Sequence, residues 1–152
     1  MSATDLKVSV IQADTVWHNP QANREYYQQL LRDQNLQSDI IVLPETFTSG
    51  FSNDALAQAE TMHGETVAWM QAQASVLSAA ITGSVQIREG EHVFNRMIWA
   101  TPDGEIHHYD KRHLFRMAGE HERYTAGRDK IFIDYKGWRI CPQVCYDLRF
   151  PV

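Results

Sequence analysis

Seven short apolar runs with strand-like patterning, set against only two segments of amphipathic helical length, confine this chain to few architectures. Residues 7–12 alternate, with Val8 and Val10 on one side, the pattern of a half-buried strand. Asn19 and Pro20 then supply a helix cap and a first-turn proline, and Ala22, Tyr26, Tyr27, Leu30 and Leu31 recur at helical spacing to about residue 37. Ile40, Ile41, Val42 and Leu43 form an unbroken apolar run, as expected of a strand covered on both faces, and Pro44 ends it. A second helix fits 66–78, where Val67, Met70, Ala74 and Leu77 share a face, and a strand follows at 81–87.

Beyond this point the spacing tightens. Residues 93–100 read as a strand, Thr101-Pro102-Asp103-Gly104 as a tight turn and 105–110 as the returning strand. After a polar stretch at 112–128, two more strands fit 131–135 and 138–144, joined at Lys136-Gly137. The sheet is therefore mixed. With so few helices, its second face needs another cover, and a second sheet would serve. No linker, low-complexity tract or repeat divides the chain, so residues 1–152 read as one unit.

Composition narrows the function classes. The chain carries 19 acidic residues against 14 Lys and Arg, a net charge of -5, with its basic residues scattered. This excludes the basic footprint of a nucleic-acid binder. The amino terminus lacks a basic segment leading into an apolar one, and no apolar run approaches the roughly 18 residues of a membrane span. Two cysteines four apart do not make a disulfide scaffold, and a reducing cytoplasm is the expected location.

Glu45, Lys111 and Cys145 each follow a predicted strand, where ligands of open α/β sheets gather. A thiol becomes a nucleophile when a cation and a base stand beside it; Lys111 could be the cation and Glu45 the base. Each also has a plainer reading. Glu45 could cap a loop, Lys111 could belong to a solvated charge run, and Cys141, inside the last predicted strand, suits a buried small hydrophobe. A Cys145–His113 dyad is a second possibility. A zinc set drawn from His107, His108, His113, His121, Cys141 and Cys145 is a third, although the chain has no CxxC, HExxH or finger spacing. No glycine-rich phosphate loop supports a nucleotide cofactor.

Taken together, these blocks resemble the nitrilase, or carbon-nitrogen hydrolase, family. The resemblance runs from the strand ending near Gln12 and Ala13 through Ile41-Val42-Leu43-Pro44-Glu45 with Phe47, Gly50 and Phe51. It continues through Tyr109-Asp110-Lys111-Arg112-His113-Leu114-Phe115 to Cys145-Tyr146-Asp147-Leu148-Arg149-Phe150-Pro151. It implies a four-layer αββα sandwich, of which this chain is the N-terminal part, paired as a homodimer or larger homo-oligomer. It also implies hydrolysis of a small non-peptide amide or nitrile without metal or cofactor.

The family triad maps onto Glu45, Lys111 and Cys145. Its second glutamate maps onto Glu120, at the right spacing from Tyr124 and Gly127, rather than Glu122. The backbone N–H of Tyr146 would join Lys111 at the oxyanion, and Arg149 or Arg116 would meet a substrate carboxylate. Cys-Tyr-Asp-Leu-Arg-Phe resembles the amidase branches, and the stretch at 113–124 resembles bacterial ω-amidases acting on 2-oxoglutaramate or 2-oxosuccinamate. Deaminated-glutathione amidases share the cysteine block and are the alternative. A non-catalytic domain acting in binding or assembly is the reading from another class. The resemblance further implies chain beyond Val152 that completes the second sheet and the pocket wall. A 152-residue piece, cut through its core, is expected to be poorly stable or to associate.

Overall fold

The computed structural model describes residues 5–150, so Pro151, last of the cysteine block, and the first four residues of the amino terminus lie outside the described residues. Strand β1 (Val8–Val10) runs parallel to β2 (Ile40–Val42), and β2 runs parallel to β3 (Ala80–Glu89). Helix α1 (Pro20–Gln34) makes the first crossover and α2 (Glu65–Leu77) the second. β4 (His92–Ala100) returns antiparallel to β3, and β5 (Ile106–Asp110) returns antiparallel to β4, giving one mixed sheet in the order β1-β2-β3-β4-β5. The predicted cap is present: Asn19 accepts from the Ala22 amide at 3.1 Å.

Side-chain alternation assigns each face of this sheet a task. Ile81, Val85 and Ile87 of β3, with Ile98 and Ala100 of β4, face the helices and pack against Tyr27, Leu31, Val67, Met70 and Ala74. Ile40, Ala80 and Trp99 point the other way and meet Ile133 of a hairpin formed by β6 (Ile133–Tyr135) and β7 (Trp138–Ile140). Trp99 meets the Tyr135 ring edge-on at 5.6 Å, and the Tyr135 hydroxyl donates to the Asp39 carbonyl at 3.2 Å. The layers thus run helix, sheet, sheet, and the second sheet covers part of the face the helices leave free. Further along that same face the buried residues are polar: Ser84, Gln86, Asn95 and Lys111. Among the described residues no helix is long and apolar enough to cross a membrane.

Three differences from the predicted elements have a physical cause in the structure. Helix α1 ends at Gln34, short of residue 37, because Asn35 turns into the left-handed region at φ 44°. β7 ends at Ile140, so Cys141 lies outside a strand; Pro142 has no N–H to donate to a ladder. β1 is half-buried on the side opposite to the one expected. Val8 and Val10 are 50% and 74% exposed, while Ile11 and Ala13 pack with the helix-side core. The hairpin packs on Ile40, Ala80 and Trp99 of β2–β4 and, among the described residues, leaves the Val8 side of the edge strand uncovered.

One close approach seats the segment that leaves β2. Leu43 N–H donates to the Thr82 carbonyl at 2.7 Å and Phe47 N–H to the Ser84 carbonyl at 3.2 Å. Between these contacts lies Gly83, where a Cβ would stand 2.8 Å from Leu43 Cβ and 3.0 Å from Phe47 Cδ1. Gly83→Val should therefore lower stability by about 1–3 kcal/mol through overpacking, read as a lower urea midpoint at unchanged m-value.

Candidate active site

Three segments converge at the polar end of the sheet face that looks toward the hairpin. Pro44 ends the β2 run, and the chain turns through Thr46, whose φ is 47° and whose N–H donates to Ser84 Oγ at 2.8 Å. This turn presents Glu45. Lys111 follows β5 directly; its N–H donates to the Asn95 carbonyl at 3.0 Å, continuing the ladder one residue past the strand. Glu120 opens a 3-10 turn (Glu120–Glu122) behind the left-handed Gly119. Its carboxylate accepts from the Phe115 amide at 2.6 Å, which folds the 112–120 loop back over the site.

Lys111 and Glu120 are fully buried, and Glu45 retains 18% side-chain exposure. Lys111 Nζ donates to Glu45 Oε1 at 2.7 Å and to Glu120 Oε2 and Oε1 at 2.9 and 3.2 Å. The ammonium also lies 5.5 Å from the Phe51 ring centroid, a cation–π contact. Burial alone would favour the neutral amine; the hydrogen bonds and charges of Glu45 and Glu120 outweigh it, and the Lys111 pKa is raised. The lysine is a fixed cation. Glu122 is exposed, whereas Glu120 reaches Lys111.

Cys145 begins a second 3-10 turn (Cys145–Arg149) at φ 46°, a left-handed conformation that costs a non-glycine residue about 1–3 kcal/mol and persists only where its surroundings impose it. The imposing residue is Asp147, which the sequence reading missed. Its Oδ2 accepts from the Val144 amide at 3.0 Å and the Tyr109 hydroxyl at 2.8 Å. Its Oδ1 lies 2.8 Å from both the His113 amide and His113 Nδ1. One buried carboxylate thus ties the cysteine turn to the end of β5 and to the loop after Lys111.

The thiol faces this charge cluster. Partial desolvation, then the charge of Glu45 and a hydrogen bond to its carboxylate, raise the Cys145 pKa, against a lowering by Lys111. The thiol thus stands beside a carboxylate placed to receive its proton. Cys141 and Cys145 are both free.

The rival constellations are arranged otherwise. His113 is committed through Nδ1 to Asp147, and its ring stacks on Phe150 at 4.1 Å, so it supports the turn rather than pairing with the thiol. Among the described residues no three His, Cys, Asp or Glu side chains converge as metal ligands. Arg116 is exposed and, with Arg112, His121, Tyr146 and Phe150, lines a cavity of about 450 Å³; Arg149 is exposed at the end of the cysteine turn. Asn95, also missed, is buried between the two glutamates. Its only sequence signal is an amide within the otherwise strand-like run at 93–100.

A carbon-nitrogen hydrolase family model matches residues 7–152, and the chain belongs to that family. It is 46% identical over 97% of its length to omega-amidase YafV of Yersinia enterocolitica and 44% identical over 97% to omega-amidase YafV of Escherichia coli (strain K12), covering 57% of each. It is 29% identical over 95% of its length to the 2-oxoglutaramate amidase of Bacillus subtilis (strain 168), covering 57% of that protein. The crystal structure of XC1258 from Xanthomonas campestris, a CN-hydrolase superfamily protein, superposes with a TM-score of 0.94 at 60% identity, over 97% of this chain and 56% of that one. The fold is that of the nitrilase superfamily, and the chain spans little more than half the length of the relatives it matches.

Because the charge of Glu45 and its hydrogen bond add to desolvation in raising the Cys145 pKa, Glu45→Gln should lower that pKa while removing the proton acceptor. The midpoint of the alkylation-rate profile at Cys145 with iodoacetamide, followed by mass spectrometry, should move to lower pH. A midpoint that stays or rises contradicts this electrostatic account.

Proposed function

We propose that the full-length protein hydrolyses the terminal amide of a small oxo-dicarboxylic acid monoamide, such as 2-oxoglutaramate or 2-oxosuccinamate, through a cysteine thioester. The observation that carries this reading is the convergence of the Cys145 thiol, the Glu45 carboxylate and the buried Lys111 ammonium at one sheet end. The names of the YafV and Bacillus subtilis relatives point to the same chemistry.

In this mechanism Glu45 takes the thiol proton as the sulfur forms a bond to the amide carbon. The oxyanion is held by Lys111 and the Tyr146 backbone N–H; losing one such donor typically raises a barrier by about 2.7–4 kcal/mol. The carbon–nitrogen bond breaks, and the proton on Glu45 leaves with ammonia. Glu45 next takes a proton from water, whose oxygen displaces the sulfur from the thioester, and the thiolate regains that proton. Glu120 orients Lys111. Arg116, in its cationic cavity beside Tyr146, and Arg149 are the candidates for the distal carboxylate. No metal or cofactor takes part, the working form is a homodimer or larger homo-oligomer, and the location is the cytoplasm.

The test is ammonia release by the full-length protein from these two oxo-acid amides. Cys145→Ala should reduce turnover at least about a thousandfold, as loss of a covalent nucleophile does, and Cys141→Ala should keep most of it. The reverse pattern overturns the nucleophile assignment, and turnover that chelators abolish overturns the metal-free mechanism.

A further inference from the structure

Asn95 occupies β4 where its side chain points to the polar face, directly opposite Gln86 in the ladder, and it is 1% exposed. Its Nδ2 donates to Glu45 Oε1 at 2.9 Å and to Glu120 Oε1 at 3.0 Å. The same two oxygens accept from Lys111 Nζ at 2.7 and 3.2 Å. Donors and acceptors therefore alternate around a closed ring of Lys111, Glu45, Asn95 and Glu120. An amide nitrogen has two hydrogens, and both are used here. The opposite amide orientation would aim Oδ1 at two carboxylate oxygens, so the surrounding charges dictate which end points inward.

The arrangement has a visible cost: among the described residues, the buried Asn95 Oδ1 finds no hydrogen-bond partner. Natural interiors rarely tolerate such an orphan unless the rest of the group is needed where it stands. The need is electrostatic. One ammonium faces two carboxylates, and repulsion between them would drive one to take up a proton or swing away. Neutral donors offset that repulsion without adding the charge that a second lysine or arginine would bring beside the thiol.

We propose that Asn95 is a positioning residue that clamps Glu45 and Glu120 together on Lys111 and keeps the Glu45 carboxylate aimed for proton transfer with Cys145. The assignment of proton transfer to Glu45 rests on the amidase reading above; the clamp itself rests on the ring geometry.

The experiment uses Asn95→Ala and Asn95→Ser in the full-length protein. A carboxylate that loses a donor is protonated more readily, so the acid limb of kcat/KM against pH should move up by about one pH unit in Asn95→Ala, about a tenfold loss on the acid side that is largely recovered at higher pH. Asn95→Ser, keeping one hydroxyl donor, should move it less. A uniform loss with the limb unmoved in folded variants assigns Asn95 a packing role and overturns the proposal.

A substrate-free arm separates the two readings. In infrared titrations the protonated-carboxyl band of Glu45, identified by its disappearance in Glu45→Gln, should emerge at higher pH in Asn95→Ala than in the unsubstituted protein. If no amide is turned over but this band moves, the functional reading falls and the clamp stands. If turnover is seen and the band does not move, the clamp falls alone. Failure of both Asn95 variants to fold also overturns it in favour of a structural role.

Discussion

A fully buried ammonium shared by two carboxylates is the constraint on which the rest of this structure turns. An unpaired lysine in such a place would be neutral, and unpaired carboxylates would take up protons. Lys111 stays charged because Glu45 and Glu120 reach it from different segments, the turn after β2 and the loop after β5. The cluster therefore fixes chain path as well as charge. Glu120 draws the 112–120 loop inward through the Phe115 amide, and Glu45 is held where the thiol of Cys145 senses it. Removing Lys111 would leave two carboxylates without their cation, Glu120 among them fully buried, the costly case for an internal ion pair.

The sheet makes this cluster possible by dividing its two faces. Ile81, Val85 and Ile87 of β3 with Ile98 and Ala100 of β4 meet the helices, while Arg96 on that side of β4 is buried by pairing with Glu89 and Asp110; the alternate positions face the hairpin and change along the strands from apolar to polar. Ala80 and Trp99 are under the hairpin, whereas Ser84, Gln86 and Asn95 line the end where Glu45 and Lys111 arrive. Asp147 supplies the remaining connection. It accepts from Tyr109 on β5, from His113 in the loop and from Val144 before the cysteine, so the thiol and the lysine are held relative to each other through one rigid acceptor.

Much of this was legible in the residues. Glu45, Lys111 and Cys145 stand out because each follows a predicted strand, and the family resemblance points to Glu120 rather than Glu122 through its spacing to Tyr124 and Gly127. Asn95 and Asp147 were not legible in the same way. Each is an ordinary polar residue inside a strand or motif, and its importance lies in partners from 3 to 50 positions away. The burial of β1 was misread for a related reason: alternation shows that two sides differ, but which side is covered depends on what packs there. The strand expected at 138–144 was too long because the proline at 142 removes a ladder donor.

The sequence by itself determined the βαβ opening, the mixed sheet with its shortage of helices, and the residue types able to perform cysteine chemistry, because periodicity, capping and strand-ending residues are local properties of the chain. Only the tertiary structure decided that Lys111 is a buried cation between two carboxylates, that Asn95 bridges them, that His113 serves Asp147 instead of the thiol, and that desolvation and Glu45 raise the Cys145 pKa. Each of these depends on desolvation and on distances between segments far apart in the chain, and neither is written in the order of residues.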